Sequence, residues 1–281
     1  MRIRPMTVAD LADVVRLFES LHWPYTRGDI DRLFALQPDG WFAAEEDGAY
    51  VGQAMGLPLG SAQGAIGLVA VAEPLRERGT GTSLTQAALD FLLSRRATQV
   101  RLDATEMGVG IYERMGFARI CDVYHFSRDL PSSPGGEPAP ATSSAPPLGE
   151  LAEFDARTYG VGRAEVLAAL ARDSEVFASY RDGKLAGYCM TRATSEPRGG
   201  WIGPLIAVDE AAGRALLEQA VERLAGRVAR LGVPAPNEKA CKALEEFGFS
   251  CDFVLTRMYY GDQTSRESLR AVWAEAGHEK G

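Results

Sequence analysis

The chain of 281 residues is poor in the side chains that build metal and redox sites. Its four cysteines, Cys121, Cys189, Cys241 and Cys251, form no CxxC pair, and the three histidines, His22, His125 and His278, are scattered too widely to complete a ligand set. Free core thiols are expected, and no metal. Long apolar runs are missing too: no stretch approaches the roughly eighteen residues that a membrane helix needs. The opening MRIRPMTVADLADVVRLF enters an amphipathic pattern interrupted by Asp10 and Asp13, not a signal-peptide core. A cytoplasmic protein with no membrane partner is expected. Basic charge is also short, since 38 Asp and Glu outnumber 30 Lys and Arg to give a formal net charge of −8. That balance lacks the concentrated basic face of a nucleic-acid binder and favours a neutral or cationic small partner.

What is present suits a soluble globular chain large enough for two domains, with 46% hydrophobic and 24% charged residues. The tract PSSPGGEPAPATSSAPP, residues 131–147, has almost no large apolar side chain to bury and reads as a linker. It separates a part spanning 1–130 from one spanning 148–262, with a tail over 263–281. In the first part, Thr7 and Asp10 mark a helix start, Asp47-Gly48 marks a hairpin between two strand-like runs, and AIGLVAVAE reads as an apolar strand. A helical pattern, the strand QVRLDA, a short helix VGIYERM and a final strand follow. Strands and helices mix in an α/β or α+β order.

The loop after the apolar strand, Arg76-Glu-Arg-Gly79-Thr-Gly81, opens directly into a helix. The first N–H groups of a helix lack partners and, with the helix dipole, form an anion site. Glycines let the backbone come close to a phosphate, and Arg76 and Arg78 can add positive charge. By itself such a loop reads as a turn. A second motif changes the balance: downstream, YERMGF places Tyr112 four residues before Gly116-Phe117.

An apolar strand ending in Val-Ala-Val, then RxxGxG opening a helix, then a strand and a helix carrying YERMGF resembles the GNAT superfamily of N-acetyltransferases. The resemblance covers residues 1–130 and implies a central mixed, mostly antiparallel sheet flanked by helices. It implies that the backbone of Val69, Ala70 and Val71 pairs with the pantetheine arm of acetyl-CoA as with an added strand. The loop Arg76, Arg78, Gly79, Thr80 and Gly81, with Thr82, would take the pyrophosphate. Thr105 stands where many members have a cofactor-contacting asparagine. Tyr112 matches the usual general acid that protonates the leaving thiolate. The strand lacks the family's frequent glutamate, so the base is left among Asp103, Glu106, Glu73 and a water held by backbone carbonyls. Trp23 and Tyr25, in the loop between the first two helices, either hold an amine acceptor by stacking and cation–π contact or clamp the helices together.

The second part repeats the first. Phe42–Gly52 matches Phe177–Gly187 at an offset of 135, Leu68–Val71 matches Leu205–Val208 at 137, and Tyr112–Phe117 matches Leu244–Phe249 at 132. Five residues are lost from the second loop, where Asp209 and Glu210 face the place of the phosphates. Leu244 replaces Tyr112, while Asn237 keeps the asparagine position. The expectation is two tandem GNAT-like domains of α/β (α+β) class with a degenerate second copy. That copy either shapes the acceptor site or only stabilises the first domain or a homodimer. The tail from Thr264 reads as an amphipathic helix with Trp273 on its apolar face. The activity implied is acetyl transfer from acetyl-CoA to a primary amine, of a small molecule or a peptide, in a ternary complex. A non-catalytic acetyl-CoA or CoA sensor, and transfer of another acyl group, are the alternatives.

Overall fold

The computed structural model of the chain describes residues 1–76, 78–132, 145–264 and 267–277. Most of the expected linker, residues 133–144, lies outside the described residues, as does Glu77 of the loop. The chain forms two compact units: unit 1 comprises 1–119 and 258–263, and unit 2 comprises 120–257 and 264–279 apart from undescribed residues. Each unit therefore takes in a segment from the opposite half of the chain.

Unit 1 starts with β1 (Arg2–Pro5), α1 (Leu11–Ser20) and α2 (Arg27–Leu36). In α1, Leu11, Val14, Leu17 and Phe18 recur at helical spacing and are buried. The Asp10 carboxylate accepts the Thr7 N–H at 2.7 Å and ion-pairs with Arg4 at 2.6 Å, which fixes the entry to this helix. The strands β2 (Trp41–Glu46) and β3 (Ala49–Leu59) are joined at Asp47-Gly48, whose φ values of 51° and 80° suit a tight hairpin. β4 (Gln63–Val71), α3 (Thr80–Ser94), β5 (Gln99–Ala104) and α4 (Glu106–Arg114) complete the sequence. The strand order is β1-β2-β3-β4-β5, antiparallel except for the parallel β4–β5 pair. Leu84, Ala88, Leu89 and Leu92 of α3 pack on Ala54, Ile66, Val100 and Leu102 of the sheet.

Unit 2 takes β6 (Ala118–Asp129) from Ile120 onward, then α5 (Leu148–Tyr159), α6 (Ala164–Ala171), β7 (Glu175–Arg181), β8 (Lys184–Ala193) and β9 (Gly199–Ala207). α7 (Glu210–Arg223), β10 (Val228–Pro234), α8 (Glu238–Glu246), β11 (Ser250–Gly261) and β12 (Val272–Ala274) follow. The order here is β11-β6-β10-β9-β8-β7, and Met258–Gly261 of β11 belongs to unit 1, next to β5. The Asp182-Gly183 turn repeats the left-handed pair of the first hairpin, at 49° and 71°.

The tail is not the expected amphipathic helix. Among its described residues, Leu269–Ala271 form a 3-10 turn and Val272–Ala274 form β12, paired antiparallel to β9. Helical spacing alone gave Trp273 an apolar face, but its ring is buried among sheet and helix residues of unit 2, and tertiary contacts override so short a periodic signal.

Candidate active site

The site grows from an interruption in unit 1's sheet. β4 and β5 pair over Gln63–Ala65 with Gln99–Arg101, and among the described residues β4 from Ile66 to Val71 has no cross-strand partner on that side. On its other edge the β3 ladder slips: Met55 faces Gly67 and Gln53 faces Ala70, which leaves Leu68 and Val69 opposite the single residue Ala54. Leu68 takes φ 55°, an uncommon value for a branched side chain, at the bulge that precedes Val69–Val71. Gln53 is fully buried here, where its Nε2 donates to the Leu68 carbonyl at 3.4 Å and its Oε1 accepts from the Tyr50 hydroxyl. A Cβ on Gly52 would lie 2.5 Å from the Ala70 carbonyl, so glycine is required beside the bulge.

At the end of β4 the chain enters α3. Gly79 is the N-cap, in the left-handed region at φ 82°, and among the described residues no side chain caps the helix and no acid sits in its first turn. The first N–H groups are therefore available to a ligand. A Cβ on Gly81 would have only the Val71 side chain near it, at 3.9 Å, so this turn leaves an open approach. Arg76 and Arg78 are exposed nearby; Arg76 Nε donates to the Val71 carbonyl at 3.2 Å, and each guanidinium has a loose acidic neighbour, Glu73 at 3.5 Å and Glu46 at 4.0 Å. Thr80 is buried and Thr82 half-buried. An open strand edge followed by an uncapped, cationic helix start fits a long ligand with an extended amide arm and a phosphate group.

Tyr112 lies on α4, half-buried, with its ring 6.0 Å from that of Phe117. Burial raises its pKa, and a side-chain hydrogen bond with Thr85 of α3 works in the opposite direction. The Thr85 hydroxyl donates to the Gly81 carbonyl at 2.8 Å, so the residue beside the tyrosine is itself fixed to the first turn of α3. The sequence reading missed Thr85 and Gln53, both polar residues in apolar patterns whose only signal was that a buried polar group needs a partner. Thr105 is the exposed N-cap of α4, Glu106 is exposed in its first turn, and Asp103 is half-buried on β5. Trp23 and Tyr25 pack their rings 4.9 Å and 5.3 Å from Phe18, an arrangement that holds the α1–α2 loop onto its own helix.

The profile of the Acetyltransferase (GNAT) family matches residues 11–117, and that of an Acetyltransferase (GNAT) domain matches residues 151–274. The chain belongs to the GNAT acetyltransferase family, with two such domains in tandem. A putative acetyltransferase from Pyrococcus horikoshii has the same fold with a TM-score of 0.82 at 23% identity, over 100% of this chain and 95% of that one. A GCN5-related N-acetyltransferase from Sphaerobacter thermophilus gives 0.65 at 20% over 92% and 94%, and a tandem GNAT protein of the clavulanic acid biosynthesis pathway gives 0.64 at 16% over 94% and 99%. In sequence, N-alpha-acetyltransferase 30 of Schizosaccharomyces pombe is 34% identical over 67 residues, 23% of this chain and 45% of that protein. The chain thus matches under half the length of that curated relative.

The second GNAT unit differs at each position where the first is open. Its α7 is capped by Asp209, whose carboxylate accepts the Ala212 N–H at 3.0 Å and is gripped by Arg181 at 2.6 and 3.1 Å. The Arg181 bond foremost, then the Ala212 N–H, holds the Asp209 carboxyl below its usual range. Leu244, at the place of Tyr112, is fully buried in the apolar core.

Proposed function

We propose that unit 1 transfers an acetyl group from acetyl-CoA to a primary amine by direct attack in a ternary complex. The observation that carries this reading is the joining of β4's open, bulged edge to the uncapped start of α3. Acetyl-CoA supplies an acyl group activated as a thioester. The backbone of Val69–Val71 would pair with its pantetheine arm, while the first N–H groups of α3 with Arg76 and Arg78 would hold the pyrophosphate, with Thr105 at the edge of the site. Holding both reactants in line supplies much of the rate. Tyr112, on the next helix, would give its phenolic proton to the departing sulfur.

The amine must attack unprotonated, and with the reference lysine pKa deprotonation at pH 7 costs about 5 kcal/mol. Asp103 and Glu106, at the end of β5 and the start of α4, would relay that proton. Trp23 and Tyr25 would border the acceptor. Peptide α-amines belong in the acceptor panel, given the partial likeness to an N-alpha-acetyltransferase. Among the described residues no helix is long and apolar enough to cross a membrane, and a cytoplasmic site of action is part of this reading.

The test is calorimetric titration with acetyl-CoA, followed by thiol release across an amine panel. Gly81 takes no left-handed φ and has room for a side chain, so Gly81→Glu should fold, and its charge at the helix start should weaken binding at least about 100-fold. Unchanged affinity would refute the phosphate cradle.

A further inference from the structure

Unit 2 has the same interruption in its sheet as unit 1. The parallel β9–β10 ladder covers only Gly199–Trp201 with Val228–Arg230, and β8 holds the other edge of β9. The remaining edge of β9 is nevertheless filled. β12 pairs with it at Val272↔Ile206 and Ala274↔Leu205, and the Glu275 N–H donates across to the Gly232 carbonyl of β10 at 2.9 Å. An extended piece of the chain thus bridges both walls of the cleft.

The repeat shows what this segment stands in for. At the offset of 132 that relates the helices, Gly213 corresponds to Gly81, Ala212 to Thr80 and Asn237 to Thr105. A Cβ on Gly213 would collide with the Trp273 ring, whereas the same atom on Gly81 meets open space but for Val71. Asn237 Nδ2 donates to the Val272 carbonyl at 2.8 Å. The Ala212 N–H, equivalent to that of Thr80, is taken by the Asp209 carboxylate.

The segment is also latched. Arg257, 1% exposed, pairs with Glu267 at 3.4 Å and with Glu275. The Tyr159 hydroxyl donates to Glu267 at 2.8 Å, and Arg192 donates to the Ala276 carbonyl at 3.0 Å. Charges this deeply buried are stable only while their partners stay in place, so the latch and the segment hold together or not at all.

We propose that Val272–Glu275 is a built-in peptide ligand occupying unit 2's counterpart of the cofactor cleft, with the Asp209 carboxylate in the anion position, which leaves the chain a single acyl-CoA site. The chemistry is strand addition: main-chain hydrogen bonds along an open edge, with one aromatic anchor in a pocket floored by glycine. The equivalence to a cofactor cleft rests on the reading of unit 1 above.

Hydrogen exchange on the intact chain without acetyl-CoA tests the docking independently of that reading. Amides of 272–275 should exchange at least about 100-fold more slowly than in a free peptide, and Gly213→Ala should speed them at least about tenfold. Free-peptide rates in the parent, or no change in the variant, would overturn the proposal. A chain ending at Gln263 should melt lower, and a synthetic peptide of residues 264–281 should restore its melting temperature while the Trp273→Ala peptide should not. Unaltered melting without peptide would also overturn it. If the shortened chain fails to fold, the exchange experiment decides. Calorimetry should give one acetyl-CoA per chain. Two would refute the occupied cleft, and none would refute the reading of unit 1 while the exchange result still reports on the segment.

Discussion

Tyr112 sits where one atom decides whether a side chain is structural or chemical. Its raised pKa comes from burial, against the Thr85 hydrogen bond, and a phenol shifted upward stays protonated throughout the neutral range. That is the state a general acid needs. Tyr112→Phe should lower kcat by about 10²–10⁴-fold with little change in acetyl-CoA affinity, as steady-state kinetics and calorimetry would read. Unchanged turnover would remove the hydroxyl from the mechanism. Because the folded pKa lies above about 10, ionisation of Tyr112 cannot cause a rate change between about pH 6 and 9, and any limb there should persist in the Phe variant. Gly108 gives a second test, since a Cβ there would lie 3.0 Å from Tyr112 Cε2. Alanine is favoured over glycine in a helix by about 1 kcal/mol. Gly108→Ala should therefore keep or raise the melting temperature while lowering kcat about tenfold through the displaced ring.

At the scale of elements, three helix starts are closed by a capping side chain, and that of α3 is left to a glycine. Thr26 caps α2 by accepting the Asp29 N–H at 2.9 Å, Asp209 caps α7 and Asn237 caps α8, while α3 has only Gly79. The contrast is legible in part: the RxxGxG loop and the acidic second loop are visible in the sequence, whereas the Asp209 cap and its Arg181 clamp arise only in the fold. The entry to α1 has its own pH dependence. Asp10 is held at about 2 from 3.8, mainly by its hydrogen bond from Arg4. A lowered folded pKa gives stability present above the unfolded value and lost as pH falls through the folded one. Unfolding titrations should show this contribution fading between about pH 4 and 2, and Asp10→Asn should cost about 2 kcal/mol at pH 7 but much less at the bottom of that window.

At the scale of the whole chain, the two units are not the two sequence halves. Ile120 onward enters unit 2 and Met258–Gln263 enters unit 1, so β6 pairs with β10 over Val123–Asp129 while the end of β11 lies beside β5. A protease site placed near residue 138 tests this arrangement. After cleavage the fragments should co-elute on size exclusion under native conditions and keep acetyl-CoA binding, because each unit contains strand from both fragments. Separation without denaturant would show that the exchanged strands do not hold each unit together.

The sequence by itself determined what repeats and local chemistry can encode. The hairpins at Asp47-Gly48 and Asp182-Gly183, the helix after Gly79, the Tyr112 motif and the shifting offsets between copies are short-range patterns, and each specifies its own element. The family and the tandem repeat followed from them. The tertiary structure alone decided that Thr85 meets Tyr112, that the strands cross between units, and that the stretch around Trp273 is a strand. These depend on contacts between residues far apart in the chain: Trp273 lies 60 positions from Gly213, and the backbone edge that makes β12 a strand belongs to β9. A segment's own residues do not record the edge it will pair with.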